Sequence, residues 1–265
     1  MDEQRQEIID ELTKNLYDLK RWPHYQLLFE DINQVIKKIT IKDRVAILER
    51  CYIYDGYSIF SSLFDNVNLE IFDFIPPKSD VEERKNAQLD KLDFLPKTQK
   101  KVIKSQFSTN IYNLKDKLNT RENYDYIFIP NVLHHHPNPF ELFKICNSSL
   151  NEKGHLYVFD ATLRENHQQP DDFLRFTPDG VIYALENNGF KDIKVNTSKS
   201  PVEALIYTID QVIQYDLPKN LLKEINNLNE IIKNKYSETL KKNYNNKIRK
   251  YTSFPVAYSV IAQKN

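Results

Sequence analysis

Apolar residues recur along this chain at two periods, one typical of helices and one typical of buried strands. Two stripes at helical spacing come first: Ile8, Leu12, Leu16 and Leu19, then Leu28, Ile32, Val35 and Ile39. The second stripe follows Pro23, which suits the first position of a helix. The next apolar run, Val45–Leu48, is short and unbroken, as in a strand buried on both faces. Two helices are therefore predicted before the first strand.

Further strands are predicted from short apolar runs bounded by turn residues. They are Asn68–Asp73, Val102–Phe107, Tyr124–Ile129, His155–Asp160, Ile193–Val195 and Val256–Ile261. Gly154 is predicted to interrupt the regular structure before His155–Asp160. Helices are predicted over 78–95 and 140–150. Another helix is predicted to begin at Thr177-Pro178-Asp179, a capping hydroxyl followed by proline and an acid, and to stop at Gly189.

This alternation of strands and helices predicts an α/β fold with a doubly wound, mainly parallel, seven-stranded sheet. In such sheets, ligands bind beyond the carboxyl ends of the strands. The residues that follow the strands are thus the candidates for chemistry: Glu49–Gly56, Asp73, Asn131–His136 and Asp160–Arg164.

A length of 265 residues suits one large domain. We expect an N-terminal helical cap over 1–40 and an α/β domain over 41–265, with a helical insertion at 200–250. Basic and acidic residues both number 37, so no net field attracts polyanions, and a nucleic-acid partner is disfavoured. The two cysteines, Cys51 and Cys146, lack the spacing of a metal site or a disulfide framework and suit a reducing compartment.

The N-terminal segment is acidic and amphipathic and lacks the apolar core of a signal peptide. No uncharged apolar run approaches the roughly 18 residues that span a bilayer. The expectation is a cytoplasmic protein without a membrane partner.

Three segments together resemble class I S-adenosylmethionine-dependent methyltransferases. The first is YDYIFIPNVLHHHPNPFELFKICNSSLNEKGHLYVFD (124–160). It resembles the second half of these methyltransferases, in which a strand leads to a histidine-containing turn, a helix and a strand preceded by glycine. RFTPDGVIYALENNGFKDIKV (175–195) is similar to the family's later helix, which ends in a glycine-phenylalanine pair before the sixth strand. SFPVAYSVIAQKN (253–265) resembles the closing strand. The resemblance covers roughly residues 40–265 in order.

The turn after the first strand departs from the family. Its members carry a glycine-rich turn there, whose small residues let backbone approach the methionine part of the cofactor. Here the turn reads ERCYIYDG (49–56), with one glycine and with Tyr52 and Tyr54 in its middle.

The resemblance implies S-adenosylmethionine as cofactor and places four residues beside it. Glu49 and Cys51 lie where the family approaches the methionine moiety, and Asp73 ends the second strand, where a carboxylate can accept hydrogen bonds from both ribose hydroxyls. Asn131 follows the fourth strand, facing cofactor and substrate. Each has a structural alternative: Asp73 and Asn131 as turn residues, Glu49 as a solvated strand-end charge, and Cys51 as a buried small hydrophobe.

His134, His135 and His136 follow Asn131. His135 aligns with a histidine that is frequent in the family and is expected to pack and hydrogen-bond. His134 and His136 are candidate general bases for a substrate hydroxyl. A metal site is disfavoured, because adjacent residues do not all converge on one ion. Asp160 either orients a donor or caps a turn.

The segment from Pro218 to Lys250 holds nine Lys or Arg against three Glu, and its apolar residues keep near-helical spacing. It is predicted to be an amphipathic helical lid with a solvated outer face. Alternatively it attracts an acidic or phosphorylated substrate, or pairs with another subunit in a homodimer.

The favoured hypothesis is a methyltransferase acting on a hydroxyl or amine of a small molecule, such as a sugar, nucleotide-sugar or secondary metabolite. The alternative is a degenerate methyltransferase fold that no longer binds the cofactor and serves as a partner-binding or scaffold subunit. A fold that binds another nucleotide-like ligand is a third possibility.

Overall fold

The computed structural model describes residues 7, 10, 24–49, 60, 63–64, 68–73, 107–110, 123–166, 172–197, 201–236 and 254–265. The helices there are α1 (His24–Ile36), α2 (Pro139–Ser149), α3 (Pro178–Glu186), α4 (Pro201–Val212) and α5 (Lys219–Ile231). The strands are β1 (Arg44–Glu49), β2 (Asn68–Asp73), β3 (Phe107–Asn110), β4 (Tyr124–Pro130), β5 (Leu150–Ala161), β6 (Phe190–Thr197) and β7 (Ala257–Lys264). A short 3-10 helix spans Leu133–His135, and a π-helical turn spans Ile232–Tyr236.

The strands form one mixed sheet in the order β3-β2-β1-β4-β5-β7-β6. The pairs from β3 across to β5 are parallel, and β7 runs antiparallel to both β5 and β6. The predicted α/β class is confirmed, because α2 connects the parallel strands β4 and β5, and described helices pack on both faces of the sheet.

Two apolar layers cover the two faces of this sheet. Val45 and Ile47 of β1 pack in one layer with α1, and Ala46 and Leu48 pack in the other with α2 and α3. Every residue of β1 after Arg44 is buried, which explains its unbroken apolar run. The predicted first strand is confirmed.

The prediction that Gly154 interrupts the regular structure before the fifth strand is wrong, because β5 begins at Leu150 and Gly154 lies inside it. The register shifts between the pairs Tyr124–Leu150 and Tyr126–His155. This irregularity places Lys153 at φ 64°. A Cβ on residue 154 would lie 2.9 Å from the carbonyl oxygen of Asn151, so close backbone approach requires the glycine.

Other boundaries also differ from the sequence prediction, and β6 extends over Phe190–Thr197 rather than 193–195. The third strand lies at Phe107–Asn110, so it overlaps the predicted 102–107 at one residue. The last strand runs to Lys264 rather than to Ile261. The helix predicted at 78–95 and all four residues of the first N-terminal stripe lie outside the described residues.

The predicted start of α3 is confirmed. The Thr177 hydroxyl accepts a hydrogen bond from the backbone N–H of Gly180, and Pro178 occupies the first turn. The helix ends at Glu186, and Gly189, three residues on, has φ 81°. The Asn147 side chain donates to the Gly189 carbonyl at 2.8 Å, which links this turn to α2.

The insertion between β6 and β7 contains α4 and α5. Val202, Ile209 and Ile232 form a small apolar cluster between them. The Asp210 carboxylate accepts from Asn229 Nδ2 and from Lys233 Nζ, both at 2.7 Å. Residues 237–250, the rest of the predicted lid, lie outside the described residues. The domain boundary near residue 40 remains a prediction.

Candidate functional site

The chain reverses its direction of winding between β1 and β4. It passes from β1 outward through β2 to β3, and then returns to place β4 on the other side of β1. In open α/β sheets, ligands bind outside the carboxyl ends of the strands at such a reversal point. This edge of the sheet is the candidate site.

Glu49 and Asp73 end β1 and β2 and are directly paired in the parallel register. Paired residues on neighbouring strands lie roughly 5 Å apart, so the backbones of two predicted cofactor residues lie side by side at this edge of the sheet. Glu49 is buried, with 3% of its surface exposed. Cys51, predicted beside them, lies outside the described residues, as do all residues from 50 to 59.

Asn131 stands at the carboxyl end of β4, on the other side of β1. Its backbone is left-handed, with φ 59°, and its N–H donates to the Phe159 carbonyl at 2.8 Å. Non-glycine residues rarely adopt this conformation, although asparagine tolerates it better than most. The strand thus ends abruptly, and the Asn131 side chain remains at the edge of the sheet.

His134 is held by Asp160 at the end of β5. Its Nδ1 lies 2.5 Å from Asp160 Oδ1, and its backbone N–H donates to Asp160 Oδ2 at 2.8 Å. Both residues are buried. The two contacts fasten the turn after β4 to β5, so the sequence alternative in which Asp160 orients a donor is the one that the structure supports.

His136, the other predicted base, is also buried but has a different partner. Its Nδ1 accepts from the backbone N–H of Asn138 at 3.0 Å. An accepting ring nitrogen carries no proton, so the neutral imidazole holds its proton on Nε2. Burial, above all, lowers the pKa of His136 to about 4. The ring is therefore neutral at pH 7.

His135 packs inside the turn. It is 2% exposed, and its ring centroid lies 3.9 Å from that of His134. Its backbone N–H donates to the Val132 carbonyl at 3.1 Å. This position agrees with the packing role that we expected of it.

The Asp160 carboxyl has an unusual electrostatic setting. Burial raises its pKa to about 7, although the Ala161 N–H, the His134 N–H and the guanidinium groups of Arg175 and Arg164 oppose the rise. A carboxyl group with a pKa near neutrality exchanges its proton in the physiological range.

Sequence reasoning did not single out the polar groups that follow β5. Arg164 Nη1 donates to Asn131 Oδ1 at 3.5 Å. Arg175 forms an ion pair with Asp172, and the Tyr207 hydroxyl on α4 donates to the Glu165 carboxylate. In the sequence, residues 160–164 were candidates only because they follow a predicted strand. Tyr207 lies in an ordinary apolar helix pattern, which gives no sign of its polar contact.

The described part of the chain has neither a cluster of metal-ligating side chains nor a membrane-spanning helix. Among its side chains, no group of three or more His, Cys, Asp or Glu is placed to hold a metal ion. None of its helices combines the length and the apolar character needed to cross a bilayer.

No protein-family model matches the sequence. No curated protein matches it either.

Solved structures with a similar arrangement include S-adenosylmethionine-dependent methyltransferases, the family that the sequence resembles. One from Archaeoglobus fulgidus is 15% identical, with 89% of this chain and 94% of that chain covered and a TM-score of 0.47. The O-methyltransferase of a trans-AT PKS multienzyme of Brevibacillus brevis, in complex with S-adenosyl-L-homocysteine, is 19% identical, with 96% and 79% covered and a TM-score of 0.47.

A third is phosphoethanolamine N-methyltransferase 2 of Haemonchus contortus, in complex with S-adenosyl-L-methionine. It is 11% identical, with a TM-score of 0.45, and the match covers 89% of this chain and 52% of that chain. At these identities and TM-scores the likeness does not establish a shared activity.

Proposed function

We propose that this protein is an S-adenosylmethionine-dependent methyltransferase that acts on a hydroxyl or amine of a small molecule. The observation that carries the proposal is the grouping of Glu49, Asp73 and Asn131 at the reversal point of the sheet. Three strands that are distant in sequence end there in groups able to accept hydrogen bonds.

The arrangement suits the two polar ends of the cofactor. Asp73 would accept from the ribose hydroxyls, and Glu49, one strand nearer to β4, would lie towards the methionine part. Cys51 follows Glu49 closely in sequence and would line the same side. Asn131 would face both cofactor and acceptor. When bound, the cofactor supplies a methyl group on a sulfonium sulfur.

The protein's contribution would be positioning, exclusion of water and proton removal. Of the two predicted bases, His134 has Asp160 at its Nδ1, a partner that fixes the orientation of the imidazole. His136 accepts from Asn138 through Nδ1 and is kept neutral by burial. We therefore favour His134 as the base and retain His136 as a hydrogen-bond donor near the acceptor.

The sequence of the turn after β1 favours a second candidate function. With Gly56 as its one glycine and with Tyr52 and Tyr54 within it, the turn departs from the small residues that the family uses against the cofactor. The protein would then be a scaffold or partner-binding subunit on the same fold.

Calorimetric titration with S-adenosylmethionine and S-adenosylhomocysteine separates the two candidates. A dissociation constant in the micromolar range supports the methyltransferase. Absence of heat with both compounds, for protein shown to be folded by circular dichroism, overturns it and favours the scaffold.

A further inference from the structure

A cavity of about 310 Å³ lies on the sheet, away from the carboxyl ends of the parallel strands. His155, Gln263 and Lys194 line it from the neighbouring strands β5, β7 and β6. His155 comes six residues before Ala161, the last residue of β5, so it lies roughly 20 Å from the carboxyl edge of the sheet. The cavity is therefore separate from the proposed cofactor site.

The register of the sheet explains why these side chains meet. His155 is paired with Gln263, and Lys194 is paired with Ile261, two residues earlier on β7. Paired residues, and residues two apart along one strand, point to the same face of a sheet. Ile261 packs against the apolar layer that contains α1. The side chains that form the floor of the cavity thus lie on the α1 face of the sheet.

Lys38 brings an ammonium group to the same cavity from beyond the end of α1. The helix ends at Ile36, and the backbone N–H of Lys38 donates to the Val35 carbonyl in the turn that follows. Burial, and after it the charge of Lys38, lowers the pKa of His155. Lys38 and His155 therefore face each other across the cavity closely enough to interact.

The cavity has an excess of positive charge. Lys38 and Lys194 are exposed, and neither ammonium group forms an ion pair with another described residue. Among the described residues that line the cavity, Asp192 is the only acid, and it has no ion-pair partner among them either. Two ammonium groups against one exposed carboxylate leave the cavity positive.

His155 adds a neutral donor to the two charged ones. Its ring is stacked on Tyr126, with the centroids 5.4 Å apart, and its lowered pKa keeps the ring neutral at pH 7 with one N–H. Beside it, Gln263 Nε2 donates to the Lys153 carbonyl at 3.0 Å, which fixes the amide at the floor of the cavity. The donors thus come from elements that the fold holds in place.

We propose that this cavity binds a phosphate group, either free or carried by a small molecule. Donors on three separate elements, at Lys38, His155 and Lys194, suit a tetrahedral oxyanion, whose oxygens point in different directions. Lysine binds phosphate as a point charge, whereas the planar two-bond contact with a carboxylate is made by arginine. A volume of about 310 Å³ is at the lower end of the roughly 300–1,000 Å³ of small-molecule sites, so a phosphate ester also fits.

Calorimetric titration of the full chain at low ionic strength, where exposed charges are least screened, tests the proposal. The compounds are inorganic phosphate, phenyl phosphate, benzoate and phenol, which compare the free ion, the ester, a carboxylate and the neutral ring. The proteins are the wild type, Lys38→Gln, Lys194→Gln and the matched control Lys144→Gln. Lys144 is exposed on α2, which packs on the other face of the sheet.

The wild type should bind inorganic phosphate or phenyl phosphate with a dissociation constant of about 1 mM or below, and phenol should not bind. Tighter binding of phenyl phosphate identifies a phosphorylated small molecule, and tighter binding of inorganic phosphate identifies the free ion. Lys38→Gln and Lys194→Gln should each weaken binding at least about fivefold, because each removes one charged donor. Lys144→Gln should match the wild type.

Three results overturn the inference: no binding of either phosphate compound by the wild type, benzoate bound as tightly as the phosphate compounds, or unchanged phosphate affinity in either Lys38→Gln or Lys194→Gln. Saturation with S-adenosylhomocysteine should leave phosphate binding unchanged, and competition between the two ligands would also overturn it. Circular dichroism checks that each variant is folded. A variant that does not fold is replaced by the corresponding methionine variant, which is held to the same criteria.

Discussion

Glu49 and Asp73 face each other across neighbouring strands, at the last paired position of β1 and β2. The carboxyl edge of a parallel sheet is where ligands of such folds bind. We propose that an adenosyl ligand uses this paired position, with its ribose on Asp73 and its methionine part towards Glu49.

Replacement of Asp73 tests this explanation. Asp73→Ala removes one or two hydrogen bonds to a charged acceptor, each contributing about 1.5–3 kcal/mol, so S-adenosylhomocysteine should bind at least about tenfold more weakly. Calorimetric titration gives the affinity. The matched control is Asp192→Asn on the edge strand β6, where asparagine tolerates the positive φ of 50°; it should leave the affinity unchanged. Equal affinities for Asp73→Ala and the wild type would remove Asp73 from the site.

The stability of the protein should depend on pH through two buried groups with opposite signs. The pKa of His136 is lowered from 6.5 to about 4, so the unfolded chain binds its proton more readily between these values, and stability rises with pH there. The pKa of Asp160 is raised from 3.8 to about 7, so the native state binds that proton more readily, and stability falls as pH rises through this window.

The variants His136→Gln and Asp160→Asn separate these contributions. Between pH 4.5 and 6.5, the stability of the wild type relative to His136→Gln should increase with pH, and that relative to Asp160→Asn should decrease, each by at most about 1.4 kcal/mol per pH unit. Urea denaturation at several pH values measures both differences. Slopes of the same sign for the two variants would contradict the assigned pKa directions.

The left-handed backbone at Asn131 should appear as a difference between two substitutions. Asn131→Ala and Asn131→Gly both remove the contact with Arg164, but only alanine is strained at φ 59°. The free energy of unfolding of the alanine variant should therefore be about 1 kcal/mol lower than that of the glycine variant, as measured by urea denaturation. A glycine variant that is less stable than the alanine variant would show that residue 131 is not held in this conformation.

The cap of α3 gives a prediction that is independent of the site. Thr177→Ala removes the acceptor of the Gly180 N–H and should cost about 1 kcal/mol in the free energy of unfolding. Thr177→Ser keeps the hydroxyl and should retain most of the stability. If the Thr177→Ala and Thr177→Ser variants proved equally stable, the capping hydrogen bond would contribute nothing to the free energy of unfolding.

Local chemistry in the sequence predicted those parts of the fold that depend on neighbouring residues. The buried run of β1 and the Thr177-Pro178 start of α3 are confirmed, because burial on both faces and helix capping each leave a short pattern. The irregularity in β5 was missed, because Gly154 allows close backbone approach inside a strand as readily as it ends one.

The candidate site was predictable only in part. Parallel strand ends meet at one edge, so Glu49, Asp73 and Asn131 could be expected together. The contact of His134 with Asp160 joins residues 26 positions apart, and that of Glu165 with Tyr207 joins residues 42 apart. No local pattern encodes such partners, since they follow from how β5 and α4 are placed on the sheet.

The central claim is that an adenosyl group binds at the reversal point of the sheet, with its ribose on Asp73. A crystal structure of the protein grown with S-adenosylhomocysteine tests it most directly. The account predicts electron density for the ligand between the ends of β1 and β4, with the ribose hydroxyls within hydrogen-bond distance of the Asp73 carboxylate. A ligand bound elsewhere, or a crevice at this edge filled by the protein's own side chains, would contradict it.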